Sequence, residues 1–376
     1  MPSVCFKHLY NTFTHTTPSQ TNTDMKKSRT GAFTRYLQKQ WHQGGLLSSL
    51  LTPFSWLAHL LVAVKSYLYR KKLKAAYRAP CPVIIVGNIY VGGTGKTPLV
   101  IALVQALRKK GFTPGVISRG YGVNIGPEAR TAFGADASAS QMGDEPSLIA
   151  KYAPISVHPQ RQRAIEKLLA SWPAIDIIIS DDGLQHLKLQ RDIEIVVQDN
   201  RRTGNGKLLP AGPLREPASR LKQVDFIITN LKSTSLHNFQ AEFAHEIAMS
   251  LEPVSVTHLV TGQTITIQEF IKEHKDQPMA ALAGIGQPNR FFATLAQLQL
   301  TISQAIPFPD HYAYTANDFK AINAEIILMT SKDACKCSTL TDSRIWTVNV
   351  EPHFSNPHFF DLIEEKIRQL PLYSSN

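Results

Sequence analysis

The sequence predicts an α/β fold built on a parallel sheet, with a second, smaller α/β unit behind it. Three observations carry this prediction. Short apolar runs rich in β-branched residues recur between helical stretches, the pattern of strands buried on both faces and crossed by helices. The chain has 376 residues, enough for two ordinary domains with cores of their own. Its apolar fraction of 43% and charged fraction of 18% belong to a globular chain and exclude a disordered one.

Taken in order, residues 1–40 are rich in Thr, Ser, Asn and basic residues and are expected to hold little fixed structure. Their acid-poor composition is superficially that of a transit segment, and Met25-Lys-Lys-Ser offers an alternative start. Residues 41–64, WHQGGLLSSLLTPFSWLAHLLVAV, contain no Asp, Glu, Lys or Arg, and KSYLYRKKLKAAYR follows with six basic residues and no acid. Gly44, Gly45, Pro53, His59 and several Ser/Thr argue against a spanning helix. A core helix would rarely carry so basic a continuation. An interfacial helix with a polybasic end fits best, its apolar groups entering lipid while Lys and Arg meet headgroups.

Strands are expected at 83–87, 115–118, 155–157, 175–180, 193–197 and 225–229, with helices at 98–110 and 159–171 among them. Residues 231–275 are less regular, and SVTHLVTG with TITIQEF suggests a hairpin or linker pair. A second α/β pattern then runs through 279–285, a helix near 289–299, and strands at 325–330 and 345–350. The expected organisation is an extension (1–40), an amphipathic membrane-binding helix (41–78), a nucleotide-binding core (79–230), a linker with a hairpin (231–277) and a C-terminal α/β domain (278–376).

Charge is unevenly spread. Residues 1–127 carry seventeen Lys/Arg against one acid, Asp24, so this third should face something anionic. Nucleic acid is disfavoured, because the aromatics gather in the amphipathic segment and do not interleave with the basic residues. The four cysteines, Cys5, Cys81, Cys335 and Cys337, are too few for a disulfide scaffold and lack a second pair at zinc spacing; they read as reduced thiols.

The motif with the most chemistry is Gly92-Gly-Thr-Gly-Lys-Thr97, after a strand and opening a helix. Its glycines let backbone N–H groups approach phosphate oxygens, and the helix N-terminus favours negative charge. Lys96 can reach the β/γ-phosphates and Thr97 can offer its hydroxyl to Mg²⁺. The usual first glycine, five positions before Gly95, is Tyr90 here, so Gly87 and Gly92 must shape the loop, which includes Val91, Gly93 and Thr94. Asp181 and Asp182 follow the apolar run at 175–180, where carboxylates can hold Mg²⁺ directly or through water. Neither TNLKS (229–233) nor TSKDA (330–334) has the guanine-reading order Asn-Lys-x-Asp, and Val91 stands where partition ATPases carry lysine.

Further polar clusters fall in loops: SRGYG (118–122) with Arg119 and Tyr121, MGDEP (142–146) with Asp144 and Glu145, LLPAGPLREP (208–217) with Arg215 and Glu216, and FPDHYAY (308–314) with Asp310 and His311. Any one alone is more often structural than catalytic. Asp144, for example, could simply cap its helix. Together beside a phosphate-binding loop they form a stronger signal.

With these strings in hand, from about Leu46 to Ser338, the sequence resembles the tetraacyldisaccharide 4'-kinases of lipid A biosynthesis. LLTPFSWL, PVIIVGNIYVGGTGKTP, DDGLQHLKLQRDIEIVV, GIGQPNRFF and MTSKDACKC share in the match. The resemblance implies a P-loop NTPase-like core, a smaller C-terminal α/β domain joined by a β-linker, and an N-terminal interfacial helix. It implies transfer of the γ-phosphoryl of ATP to the 4'-hydroxyl of an acylated glucosamine disaccharide 1-phosphate, giving lipid IVA. The work would be done against anionic lipid on the cytoplasmic face of the inner membrane, as a peripheral protein, with Mg²⁺ as cofactor and no nucleic-acid partner. By matching motif, Asp144 would be the base, working with His311 and Lys96. Tyr90 to Thr97, Arg119, Tyr121 and Arg215 would meet the nucleotide, and Thr97, Asp181, Asp182 and Glu216 would serve the metal. His311 comes from the second domain, so domain closure would complete the site. The sequence departs from the family at Ser331, usually Glu, and at Tyr312, often a second His. The alternatives are a soluble P-loop small-molecule kinase and a membrane-associated switch ATPase.

Overall fold

The computed structural model describes residues 36–371 apart from 38, 43, 135–136, 233–234, 237 and 338–339, so most of the 1–40 extension lies outside the described residues. Thirteen described strands form one sheet. They are β1 (Val83–Gly87), β2 (Pro114–Ser118), β3 (Arg130–Ala132), β4 (Ile155–Val157), β5 (Ile177–Asp181), β6 (Ile193–Asp199), β7 (Phe226–Leu231), β8 (Glu246–His258), β9 (Thr264–Thr266), β10 (Met279–Ala283), β11 (Ile302–Pro307), β12 (Ile326–Thr330) and β13 (Ile345–Phe354). Their order is β11-β10-β12-β13-β8-β7-β6-β1-β5-β2-β4-β3, with β9 paired to β8.

The expected strands all form, and most of their residues are buried on both faces. Every residue of β1, β2, β5 and β6 is buried. The Lys96–Lys109 helix covers one face with Leu99, Val100, Leu103, Val104 and Leu107, a stripe at helical spacing. It ends on Arg108 and Lys109, which complement the negative end of the helix dipole. The 231–277 segment holds the β8–β9 hairpin and then a helix, Ile267–His274, started by a capping box between Thr266 and Glu269. The sequence reading missed β11, whose ISQAIP alternates half-buried and exposed positions and has no long apolar run.

The two parallel groups meet on the thirteen-residue β8. β7 runs parallel to it and ends with Leu231 opposite Ser250. β13 runs antiparallel to it, with Val348 opposite Val256, and Thr330 at the end of β12 sits beside Val348. The carboxyl edges of both groups therefore point at one another over the middle of β8. Ligand loops of parallel sheets sit at such edges. Here one cleft receives the loops of both halves.

The boundary drawn at 278 needs a correction at its far end. The Phe359–Arg368 helix packs on the first unit's core, where Phe359, Ile363 and Ile367 are fully buried beside the apolar face of the Lys96–Lys109 helix. Lys110 Nζ pairs with Asp361 at 2.6 Å from the first unit. Linear order placed this helix with its chain neighbours, but its apolar stripe is buried against the other core.

The described part of the segment 41–78 includes the helices Leu46–Leu50 and Thr52–Arg70. One face docks. Ser48 Oγ donates to the Ala211 carbonyl at 2.6 Å, Lys207 Nζ to Thr52 Oγ1 at 2.9 Å, and Ala58 lies against the core. The other face exposes Phe54, Trp56, Leu57, Leu60, Leu61 and Val64, Trp56 by 71%. No helix among the described residues is long and apolar enough to cross a membrane.

Candidate active site

The loop after β1 carries Tyr90 to Thr97 onto the N-terminus of the Lys96–Lys109 helix. Gly95 precedes that helix at φ 93°, a left-handed conformation natural to glycine, and no side chain caps the helix end. Its first N–H groups are therefore available to a phosphate. Space also requires glycine there: a Cβ would meet Asn230 Nδ2 at 2.3 Å. That same amide donates to the Thr94 carbonyl at 3.0 Å and holds the loop from β7. On the other side Val91 N donates to Pro213 O at 3.0 Å and Tyr90 bridges Leu214, so the Pro/Gly-rich segment 208–217 braces the loop.

Lys96 Nζ lies 3.3 Å from Asp182 Oδ1, and Arg215 Nη1 lies 3.2 Å from Asp182 Oδ2. Burial alone would raise the Asp182 carboxyl, but Lys96 and Arg215 outweigh it and hold it below its ordinary value. Asp181 behaves in the opposite way. It accepts from Ser118 Oγ at 3.2 Å, and burial, opposed by Lys96, pushes it up to about 6. Its Oδ1 is buried with no hydrogen-bond partner among the described residues. A divalent cation, or water bound to one, would satisfy that oxygen. Asp181, Asp182 and the half-buried Thr97 thus fit Mg²⁺ in the manner of P-loop enzymes, where phosphates and water supply the remaining ligands. No three His, Cys, Asp or Glu side chains among the described residues could hold a metal unaided.

The structure gives Glu216 other partners. Its carboxylate accepts from Gln185 Nε2 at 2.7 Å and pairs with Arg220 at 3.3 Å. Gln185 also donates to the Asn88 carbonyl at 3.0 Å, so Glu216 braces the end of β1. Arg119, at the start of the loop after β2, is exposed. Its charge adds to the effect of burial in lowering Arg161.

Across the cleft, Asp144 begins the Asp144–Ala150 helix and His311 lies in the loop after β11. Separated by 167 positions in sequence, they meet with His311 Nδ1 2.8 Å from Asp144 Oδ2. The exposed Tyr121 ring sits 5.7 Å from the imidazole, centroid to centroid. Beside them Lys332 Nζ pairs with Glu145 at 2.8 Å and Asp310 at 3.4 Å. Burial would raise Glu145, yet Lys332 overrides it and holds that carboxyl low. The two family departures are locally satisfied: Ser331 Oγ donates to Val348 O at 3.0 Å, and Tyr312 OH to Asp318 Oδ1 at 2.9 Å.

Several residues here escaped the sequence reading. Arg161, 2% exposed, donates to the carbonyls of Asp181 at 3.2 Å and Asp182 at 3.4 Å. Arg201 stacks 4.4 Å from the Tyr90 ring centroid, donates to the Gly93 carbonyl at 3.2 Å, and pairs with Asp199 at 2.7 Å. Gln287 of the second half donates to the same Asp199 carboxylate at 3.2 Å, and Arg290 to Asn230 Oδ1 at 2.9 Å. Asp199 and Asn230 stand at the carboxyl ends of β6 and β7, a positional signal that was present in the sequence. Nothing in their spacing tied them to residues 287 and 290.

A phosphate loop at a helix start, a carboxylate pair after the neighbouring strand and a carboxylate–imidazole pair across a cleft define a P-loop kinase. Comparison with known proteins narrows the class. Residues 47–368 match the family described as Tetraacyldisaccharide-1-P 4'-kinase. The tetraacyldisaccharide 4'-kinase of Bordetella parapertussis is 49% identical over 337 residues, covering 89% of this chain and 96% of that protein. That of Methylobacillus flagellatus is 44% identical, over 84% of this chain and 91% of that one. The crystal structure of LpxK from Aquifex aeolicus in complex with ATP superimposes with a TM-score of 0.73 at 27% identity, covering 86% of this chain and all of that one. The chain belongs to the tetraacyldisaccharide-1-P 4'-kinase family and is a lipid A 4'-kinase.

Proposed function

We propose that this chain transfers the γ-phosphoryl of ATP to the 4'-hydroxyl of tetraacyldisaccharide 1-phosphate with Asp144 as the base, at an anionic lipid surface. The observation that carries the reading is the 2.8 Å contact between Asp144 and His311, made across the cleft that also holds Lys96 and Asp182. In the reaction the acceptor oxygen forms a bond to the γ-phosphorus as the bond to the β–γ bridging oxygen breaks, and ADP leaves. The acceptor's proton passes to the Asp144 carboxylate, whose partner His311 stabilises and orients it. Lys96 and Arg215 already converge on Asp182 and supply positive charge where phosphate oxygens would lie. Mg²⁺, held through Thr97, Asp181 and Asp182, would supply charge neutralisation and in-line geometry.

The exposed apolar face of the Thr52–Arg70 helix, followed by Lys71, Lys72, Lys74 and Arg78, supports seating on anionic lipid. On this reading the acyl chains stay in the bilayer while the sugar enters the cleft, and the cytoplasmic face of the inner membrane is where ATP and lipid meet. The test uses γ-labelled ATP, Mg²⁺ and acylated disaccharide 1-phosphate in mixed micelles. Label in the lipid, lost with Lys96→Ala, is expected. Label released only as inorganic phosphate would point to the switch-ATPase alternative.

A further inference from the structure

We infer that Lys336 is a positioning residue for Asp144, anchored from behind by the buried Asp333; this rests on the reading of Asp144 as the base. Lys336 follows the short Ser331–Ala334 helix and its side chain is only 6% exposed. A lysine is rarely buried so deeply without paired charge, because desolvation of an ammonium is expensive. Two carboxylates face it. Asp333, fully buried, lies 2.8 Å from Nζ, and Asp144 Oδ2 lies 3.8 Å away on the opposite half of the cleft. The Tyr314 ring lies 5.3 Å from the ammonium.

Asp333 faces the lysine with Oδ1, and its other oxygen, Oδ2, is bound elsewhere in the second half. It accepts from Gly284 N at 3.0 Å and from Thr330 Oγ1 at 2.7 Å, tying the ends of β10 and β12 together. The ammonium is thereby fixed to the frame of the second half, and its remaining carboxylate neighbour belongs to the first. Lys332, one helical turn before it, turns to Glu145 and Asp310 instead. The lysines of the KDACK string therefore serve different carboxylates, and only Lys336 comes within ion-pair distance of Asp144.

The arrangement is asymmetric about the Asp144 carboxyl. His311 Nδ1 and Lys336 Nζ both approach Oδ2, at 2.8 Å and 3.8 Å. Oδ1 receives no hydrogen bond among the described residues. Two groups of the second half hold one oxygen and leave the other for the acceptor hydroxyl. Lys336 thus orients the carboxylate and adds a charge that draws the two halves together over it.

The test is a double-mutant cycle on the full chain in mixed micelles, with melting temperature recorded for each variant. Lys336→Met is expected to lower kcat on the order of tenfold, a fraction of what a general base contributes, with the KM for ATP unchanged. In an Asp144→Asn background the same change should cost less than about threefold, because the group it positions has gone. If Lys336→Met does not fold, Lys336→Gln, which keeps a polar end but not the charge, carries the same expectation. Losses that multiply in the double variant, or an unchanged kcat in the folded single variant, overturn the inference. An Asp144→Asn enzyme with full kcat would be a separate result: it removes the base assignment itself, and this inference with it.

Discussion

Asp181 and Asp182 are neighbours in sequence with opposite electrostatics, and burial and partners decide the difference. Asp182 has two cations against its carboxylate, whereas Asp181 has a hydroxyl donor and a bare buried oxygen. The consequence is functional: Asp182→Asn should free Lys96 and Arg215 and raise the KM for ATP, measured by initial rates at varied nucleotide. Asp144→Asn should lower kcat by about two to four orders of magnitude while nucleotide binding, followed by fluorescence titration, stays near wild type. His186 offers a pH test independent of catalysis. Burial, then the charges of Arg161, Arg191, Lys65 and Lys188, depress its imidazole to about 4. A base whose folded pKa lies below its unfolded value contributes stability above pH 6.5, and that contribution is lost as pH falls toward 4. The melting temperature should therefore drop across that window, and His186→Phe should flatten the drop.

Among the elements, the Thr52–Arg70 helix has its two faces assigned to different neighbours. Ser55, Ala58 and Val62 make a small-residue face against the protein, while Phe54, Leu57, Leu61 and Val64 stay outside. Exposed apolar area of this extent marks an interaction surface. Leu57→Asp with Leu61→Asp should reduce binding to anionic vesicles at least tenfold, since each leucine buried in lipid is worth about 1.5–3 kcal/mol. The KM for lipid should rise and the melting temperature should hold, because neither side chain packs on the protein. A large fall in melting temperature would mean that this face is part of the core after all. Such a face was visible in the sequence as an acid-free apolar run with a basic continuation. Which side of the helix docks was not visible, because both sides are apolar or small and only the groove around Ala211 and Lys207 selects one.

For the whole molecule, what matters is the opposition, along β8, of the two parallel strand groups of one sheet. The second half reaches the phosphate loop twice, through Gln287 to Asp199 and through Arg290 to Asn230, which itself holds Thr94. These contacts couple the placement of His311 and Lys336 to the shape of the loop that cradles phosphate. Arg290→Ala should lower kcat/KM for ATP roughly tenfold, the scale of one lost hydrogen bond to a charged group, although Arg290 is not expected to touch nucleotide. Unchanged kinetics would show that the halves meet without this tie.

The chain by itself determined the parallel core, the phosphate loop, the carboxylates at the end of β5 and the family, because each is written in contiguous residues: buried strands as unbroken apolar runs, the loop as glycines before Lys-Thr. It also placed Asp144 and His311 together, though only through likeness to a family. Tertiary structure alone decided the rest. Glu216 turns to Gln185 and Arg220 because the Pro/Gly-rich loop packs against the end of β1. The Phe359–Arg368 helix crosses back because its apolar stripe is buried in the first core. The services of Arg161 and Arg201 depend on contacts within the first half, and those of Gln287 and Lys336 on distances across the cleft. Burial and charge act between residues far apart in the chain, and no local pattern records which ones folding will bring within 4 Å.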